Sequence, residues 1–525
     1  MHNKNFSRRD FIKGAATFTL GLAATNFFPA SVQAAEPCKV KLRQGIYKGF
    51  VDRHGIQTWL GIPYAKPPVG NLRWHAPEKL TASDKEFNAK KFGYSPVQML
   101  DDTEDASFLP QSENCLTLNI WTRGVEDKKP VMFYIHGGSF VSGGTGDSLY
   151  NGASLAAQGA VIVTINYRLN IFGFMNFAAI DSAFEDTGYL GIKDQVAALE
   201  WVKENISEFG GDPDNVTIFG ESAGAASVMF LMVLPQAKGL FKKAVSQSGH
   251  LAFYHTPDQS AKFASEFMKF SGCKNMQELM KKTAKELRNV YEKFCTKKPY
   301  TTMVDYFPTC DGKFLPEHPL QALKNGAASG IKLLTGTTAE EYRYWNMYFG
   351  NFTDDIKNFH ARITPVVYEG EFTNAEEIYR SWQAEHAGTN YLDFANQIDW
   401  LVGQELAAEY QSNFDDVYFY LFSQPSPDKN FGSCHSLDLL YVFDNPWEDL
   451  EPNPPAHLIN EVQMTWISFA KSGNPNNDLI PTWKKYTADD RETMEINSKA
   501  WTLRKDLNAA NLNELRAVYE NWLLD

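Results

Sequence analysis

Asn215 to Ser227 reads NVTIFGESAGAAS, a short β-branched apolar run that stops at Gly220 and gives way to helix-forming residues after Ser222. This predicts a strand, a tight corner and a helix, with Ser222 on the corner. Gly220 and Gly224 stand where a Cβ would collide with neighbouring backbone in so sharp a turn. The helix then aims its first free amides at the serine, which favours negative charge there. That suits a nucleophile whose attack creates an oxyanion.

The flanking sequence supports this corner. Leu190 to Phe209 has the spacing of an amphipathic helix, with Val196, Leu199, Trp201 and Ile206 on its buried side. GGDPDN, Gly210 to Asn215, is a turn cluster leading into the strand.

Further out, Lys41 to Asp52 and Ile56 to Ile62 alternate like edge strands. Leu116 to Trp121, Val131 to Ile135, Val161 to Tyr167, Lys243 to Ser248, Lys332 to Thr335 and Val417 to Phe422 read as further strands. Several are apolar throughout, as strands buried on both faces are. Asp258 to Leu320 reads as a helical insertion, Asn346 to Asp416 as a helical and aromatic cap over a pocket, and His457 to Ser472 and Asn511 to Leu524 as closing helices. The expected architecture is α/β, a mostly parallel central sheet flanked by helices with helical insertions above it.

Three further motifs carry chemistry. The Val131 to Ile135 strand ends in HGGSF, His136 to Phe140, whose glycines let backbone amides face inward toward a developing oxyanion. A serine hydroxyl needs a base and a group to hold that base. His435 in FGSCHSLDLLYVF is the best placed of eleven histidines, and Glu340 and Glu341 in TGTTAEEYRYW follow a strand between Ser222 and His435. Serine, then acid, then histidine is the order used by hydrolases with such a corner. GTGDSLYNG lacks the GK[ST] of a phosphate loop and is set aside.

Composition bounds the rest. The chain has 525 residues and a net charge of −13; residues 1–34 carry +3, which leaves −16 on the remainder. An acidic surface argues against a nucleic-acid partner. SRRDFIK, Ser7 to Lys13, precedes an uncharged stretch to Ala30 and then Val32-Gln33-Ala34, a small-residue cleavage signature. It resembles a twin-arginine export signal. That implies a signal at 1–34, the twin-arginine export machinery as partner, a periplasmic or secreted product, and one catalytic domain over 35–525. No later segment reads as a membrane span. The six cysteines show no metal spacing. Export permits disulfides, and Cys273 with Cys295 would close a plausible loop.

Together, GIPYAKPPVG, SENCLTLNIW, HGGSF, INYRLNIFGF, FGGDPDNVTIFGESAG, SQSG, GTTAEE, CHSLDLLYVF and WISFAKSGNPN resemble the type-B carboxylesterases, the para-nitrobenzyl esterase and cholinesterase family, over about residues 38 to 525. The resemblance implies an α/β-hydrolase fold and a carboxylic-ester hydrolase working through an acyl-enzyme. The catalytic residues it implies are Ser222, Glu341 and His435, with Glu341 rather than Glu340 on the family's acid position. It also implies oxyanion donors at the amides of Gly138, Ser139 and Ala223, Ser248 as a hydroxyl beside Glu341, and Glu221 as a buried acid beside the nucleophile. No metal or organic cofactor is implied, and the partner is a small ester.

Four departures shape the expectation. Tyr342 stands where the family has glycine after the acid, so the backbone must accommodate a side chain. Ser139 replaces a third glycine and narrows the pocket wall. Gln98 lies about where a cysteine would partner Cys115. The tryptophan motif that holds quaternary ammonium is absent between Met99 and Pro110, so choline esters are not expected. Cys434, beside the base, reads as a buried inert thiol, with an oxidation switch as the alternative. Two competing readings share the scaffold: an acyltransferase using an alcohol in place of water, and a non-catalytic recognition protein, a branch that loses the serine this chain retains.

Overall fold

The computed structural model describes residues 38–99, 110–297, 306–349 and 388–507, with isolated residues between 353 and 386 and Arg516. The expected signal at 1–34, the expected helix over Asn511 to Leu524 and most of the Met99 to Pro110 stretch lie outside the described residues.

Eleven strands form one sheet: β1 (Phe50–Val51), β2 (Gln57–Pro63), β3 (Thr117–Thr122), β4 (Lys129–Ile135), β5 (Val161–Ile165), β6 (Gly211–Glu221), β7 (Lys243–Gln247), β8 (Lys332–Thr338), β9 (Val417–Phe422), β10 (Glu492–Ile496) and β11 (Thr502–Lys505). Their spatial order is β11-β10-β9-β8-β7-β6-β4-β5-β3-β2-β1. The run from β10 to β5 is parallel throughout. The pairs at the two edges are antiparallel. Val131 to Ile135 and the whole of β5 are buried, which is why those segments are continuously apolar instead of alternating.

Two expectations about strands need correction. Lys41 to Asp52 is not one edge strand. Lys39–Leu42 and Gly45–Lys48 form a small separate sheet with Glu86–Asn88, and only Phe50–Val51 joins the main one. The break falls where Gly45 takes φ 144°, so the chain reverses instead of running on. All of GGDPDN after Gly210 is also part of the strand: Gly211 pairs with Lys129 and Val216 with Val131, and the four residues between them are accommodated by a register shift.

The predicted helix is α1 (Leu190–Asn205), continued by a 3₁₀ turn over Ile206–Phe209, and all four expected core residues on it are buried. The helix that follows Ser222, α2 (Ala223–Val233), is buried at every residue. It lies so close to the sheet that a Cβ on Gly224 would sit 2.0 Å from the Ile135 carbonyl oxygen. The lysine-rich insertion is helical over Pro257–Ser271, Met276–Met280, Ala284–Lys297 and Pro319–Lys324. The first helix of the aromatic cap starts at Arg343, three residues before the expected Asn346, and runs Arg343–Phe349; the described part continues with Tyr391–Asn396, a π-helical turn Gln397–Leu401 and Val402–Ser412. Among the described residues no helix is long and apolar enough to cross a membrane.

No disulfide joins any of the six cysteines, and the expected Cys273 to Cys295 bridge is absent. The Cys273 thiol turns onto the Ser271 carbonyl at 3.9 Å, while Cys295 is buried in the core. Cys115 is likewise buried without a cystine partner. Gln98 instead clamps the glycine-rich loop, its amide exchanging two hydrogen bonds of 2.9 Å with the Gly143 backbone.

Candidate active site

Ser222 sits between β6 and α2 with φ 57° and ψ −125°, a conformation L-residues rarely adopt. The strain is held in place by its own backbone: the Ser222 N–H donates to the Gln247 carbonyl at 2.9 Å, and its carbonyl accepts from Ala226 at 2.9 Å. The residue is only 4% exposed.

The HGGSF loop follows β4, the strand beside β6. A Cβ on Gly137 would lie 3.0 Å from the Ser222 Cβ, so the loop passes directly over the serine. Gly138, Ser139 and Phe140 take φ of 104°, 53° and 59°, a left-handed run that the Gly138 carbonyl closes by accepting from Val141 and Ser142. No backbone carbonyl among the described residues accepts from the Gly138 or Ser139 N–H. Ala223 opens α2, so its amide belongs to the first turn, which lacks intrahelical partners.

Glu341 and His435 are carried by loops that leave the adjacent strands β8 and β9. The loops are zipped together: Glu340 N–H donates to the Ser433 carbonyl at 2.9 Å, and the Ser433 N–H donates to the Glu340 carboxylate at 3.0 Å. This resolves the choice between the two acids. Glu340 turns outward to Arg343 at 2.6 Å, whereas Glu341 Oε2 meets His435 Nδ1 at 2.5 Å. The other Glu341 oxygen accepts from the Ser248 hydroxyl at 2.6 Å and the Thr338 N–H at 2.9 Å. Tyr342 is readily accommodated: it is buried, its N–H donates to Asn396 Oδ1 and its hydroxyl to Asp399 Oδ2 at 2.6 Å.

Glu221, the residue before the serine, lies on the far side of the imidazole. Its Oε1 is 2.9 Å from His435 Nε2 and accepts from the Ser436 hydroxyl at 2.6 Å. The histidine is therefore buried between two carboxylates. Burial opposes the imidazolium, but Glu221 and Glu341 outweigh it and push the His435 pKa up to about 10. Neutralising Glu221 as Glu221→Gln removes one of the two attractions, so the pKa falls. Activity that needs neutral imidazole then extends to lower pH. The acid limb of kcat/KM is expected to move down by about one to three pH units, measured as a pH–rate profile. A limb that stays in place contradicts the electrostatic role.

Four neighbours were not legible in the sequence. Ser436 and Asp438 follow the histidine, Trp345 ends the TGTTAEEYRYW stretch just before the expected cap, and Trp400 lies within the cap. Asp438 is buried, with Oδ2 accepting from Gln247 Nε2 and the Tyr420 hydroxyl, both at 2.9 Å, and Oδ1 unpaired among the described residues. Burial pushes its carboxyl up to about 7. A raised acid is accommodated protonated, so stability is full below the unfolded carboxylate pKa and is lost as pH rises through about 7. Asp438→Asn keeps both hydrogen bonds and removes the charge. Calorimetric melts should show the variant on the order of 1 to 3 kcal/mol more stable at pH 8, with the gap closing toward pH 5. Cys434 is fully buried, and burial together with the Glu341 charge pushes its thiol well up, in keeping with the inert reading.

A mostly parallel sheet flanked by helices, with a strained serine on the strand-to-helix corner and a glycine loop over it, defines an α/β-hydrolase. The chain belongs to the carboxylesterase family, which it matches over residues 36–515. It is 37% identical over 486 residues to the para-nitrobenzyl esterase of Bacillus subtilis, covering 88% of this chain and 95% of that one. It is 29% identical to the acetylcholinesterase of Bungarus fasciatus, covering 90% and 84%. Among solved structures, a Geobacillus stearothermophilus carboxylesterase superposes with TM-score 0.80 at 35% identity, covering 92% of this chain and 99% of that one. A para-nitrobenzyl esterase structure gives 0.81 at 34%, covering 91% and 99%. The protein is thus an enzyme, a carboxylic ester hydrolase.

Proposed function

We propose that the enzyme cleaves small to medium carboxylic esters through an acyl-enzyme on Ser222, with His435 as general base and Glu341 orienting it. The observation that carries this reading is the Glu341–His435 contact of 2.5 Å, braced on its far oxygen by Ser248 and Thr338. Those two donors fix the carboxylate, and the carboxylate fixes the proton on Nδ1, leaving the Nε2 lone pair to act.

In the proposed cycle, His435 first releases to solvent the Nε2 proton it holds against Glu221, and the neutral nitrogen then takes the Ser222 proton as Oγ attacks the ester carbonyl. The Gly138, Ser139 and Ala223 amides hold the oxyanion. The imidazolium, stabilised by both carboxylates, gives its proton to the departing alkoxide. Water, deprotonated by the same nitrogen, then releases the acid. The Bacillus subtilis relative is named for para-nitrobenzyl esters; we carry over only the ester bond.

We also propose that residues 1–34 are a twin-arginine export signal and that one catalytic domain over 35–525 works in the periplasm or outside the cell. SRRDFIK and the uncharged stretch behind it support this. Treating the purified enzyme with a fluorophosphonate and mapping the adduct by mass spectrometry tests the nucleophile: the expected label is on Ser222, and a label on another serine overturns the assignment. Fractionating cells that carry Arg8→Lys with Arg9→Lys tests export, which is expected to fail in that variant.

A further inference from the structure

At the end of β6 far from Ser222, the base of the sheet holds a buried lysine without a counter-ion. Lys243 opens β7 and is 5% exposed. Its neighbours in register are Thr217 of β6 and Lys332 of β8, so the three side chains share one face of the sheet. Lys242 precedes it in the chain. The group that meets the Lys243 nitrogen is neutral: Nζ donates to Asn215 Oδ1, and among the described residues it makes no ion pair. Beside it, the Thr217 hydroxyl is buried with no hydrogen-bond partner among the described residues.

Carboxylates are close by, but each is turned elsewhere. Asn215 lies in the stretch of β6 where the strand slips register, and such irregularities re-aim side chains. Asp214 points to Lys203 at 2.7 Å, and Asp212 Oδ1 accepts from the Asp214 N–H at 2.9 Å. On the other side, Asp416 lies 2.8 Å from the Lys332 nitrogen and 2.5 Å from that of Lys485. Burial of Lys243, with the charges of Lys242 and Lys332, outweighs the attraction of Asp212 and lowers its pKa to about 8. At pH 7.5 its neutral fraction is then about two hundredfold that of an ordinary lysine. A desolvated amine beside other cations is an activated nucleophile.

We propose that Lys243 is a modification site that takes up carbon dioxide as a carbamate. The Nζ lone pair attacks the carbon of CO2, one C–O π pair moves onto oxygen, and one N–H proton leaves to solvent; nothing is oxidised or reduced. The remaining N–H keeps its bond to Asn215 Oδ1. The two new oxygens are acceptors, and Thr217 supplies an open hydroxyl on the same face. A negative carbamate between Lys242 and Lys332 turns mutual repulsion of three amines into attraction. Burial selects the reagent: CO2 is three atoms and apolar, whereas a bulky acyl donor does not fit an amine on a 5% exposed residue.

The experiment equilibrates the purified enzyme with carbon-13-labelled bicarbonate and CO2, traps carbamates as ethyl esters with triethyloxonium, and maps them by peptide mass spectrometry. The expected result is a heavy-carbon adduct on Lys243 at least about tenfold above that on any other lysine. At constant dissolved CO2 the adduct should grow as pH rises through about 8. Asn215→Asp places a carboxylate on the amine, favours its protonated form and should lower the adduct by about tenfold or more. Lys243→Arg keeps the positive charge and should abolish the signal in that peptide. An adduct spread evenly over the lysines of the wild type, or none on Lys243, overturns the proposal, and that result needs no variant to fold. A full-strength adduct in Asn215→Asp also overturns it, because the missing counter-ion would then not be the source of the reactivity.

Discussion

Ser222→Ala is expected to lower kcat for a short-chain nitrophenyl ester by about a millionfold while the protein stays folded. Alanine adds no volume at a corner where φ is 57°, and the backbone hydrogen bonds that hold the turn do not involve the hydroxyl. Nucleophile and base act as one unit, so His435→Ala alone should cost about as much, and the double variant about as much as either. The residual rate, on the order of a thousandfold above water, would come from the amides around Gly138 and Ala223 and from binding. Single-turnover kinetics on the three variants, with melting curves as controls, checks this. Additive losses, or a Ser222→Ala enzyme within tenfold of wild type, would remove Ser222 and His435 from a shared step.

Glu341→Gln is expected to cost about ten-thousandfold in kcat with little change in fold. Ser248 and the Thr338 amide both donate to Oε1, so the glutamine oxygen must settle there. Its NH₂ then faces His435 Nδ1, a donor against a donor. The ring escapes by moving its proton to Nε2, and the lone pair that should accept the serine proton is lost. Ser248→Ala releases one of the two locks, so in the double variant the amide can flip and part of the loss should return. Steady-state kinetics at the pH optimum for the single and double variants decides it: a Glu341→Gln enzyme close to wild type would refute the tautomer argument.

How far each part could be read follows from the range of the interaction involved. The corner at Ser222 was legible because Gly220, Ser222 and Gly224 answer a local steric demand. Parallel strands were legible because burial on both faces leaves an uninterrupted apolar run, as in Val131 to Ile135. The segment from Lys41 to Asp52 misled because its alternation is the same in a small separate sheet as in an edge of the large one, and only partner strands distinguish them. GGDPDN misled because turn residues also serve a bulged parallel strand whose neighbour supplies the register. Cys273 and Cys295 misled because loop length says nothing of which way two thiols point.

The sequence by itself determined that a serine stands on a strained strand-to-helix turn, that a glycine loop ends the neighbouring strand, and that the serine, acid and histidine follow in hydrolase order. These are properties of backbone sterics and short-range periodicity, which a linear reading contains. The residues alone left Glu340 and Glu341 open and the family resemblance favoured Glu341; the tertiary structure shows Glu341 turned to the imidazole, and it alone decided that Glu221 closes on the other nitrogen and that Trp345 and Trp400 flank the ring. Those contacts join residues up to more than two hundred positions apart, through loops whose directions are set by which strands lie side by side in the sheet.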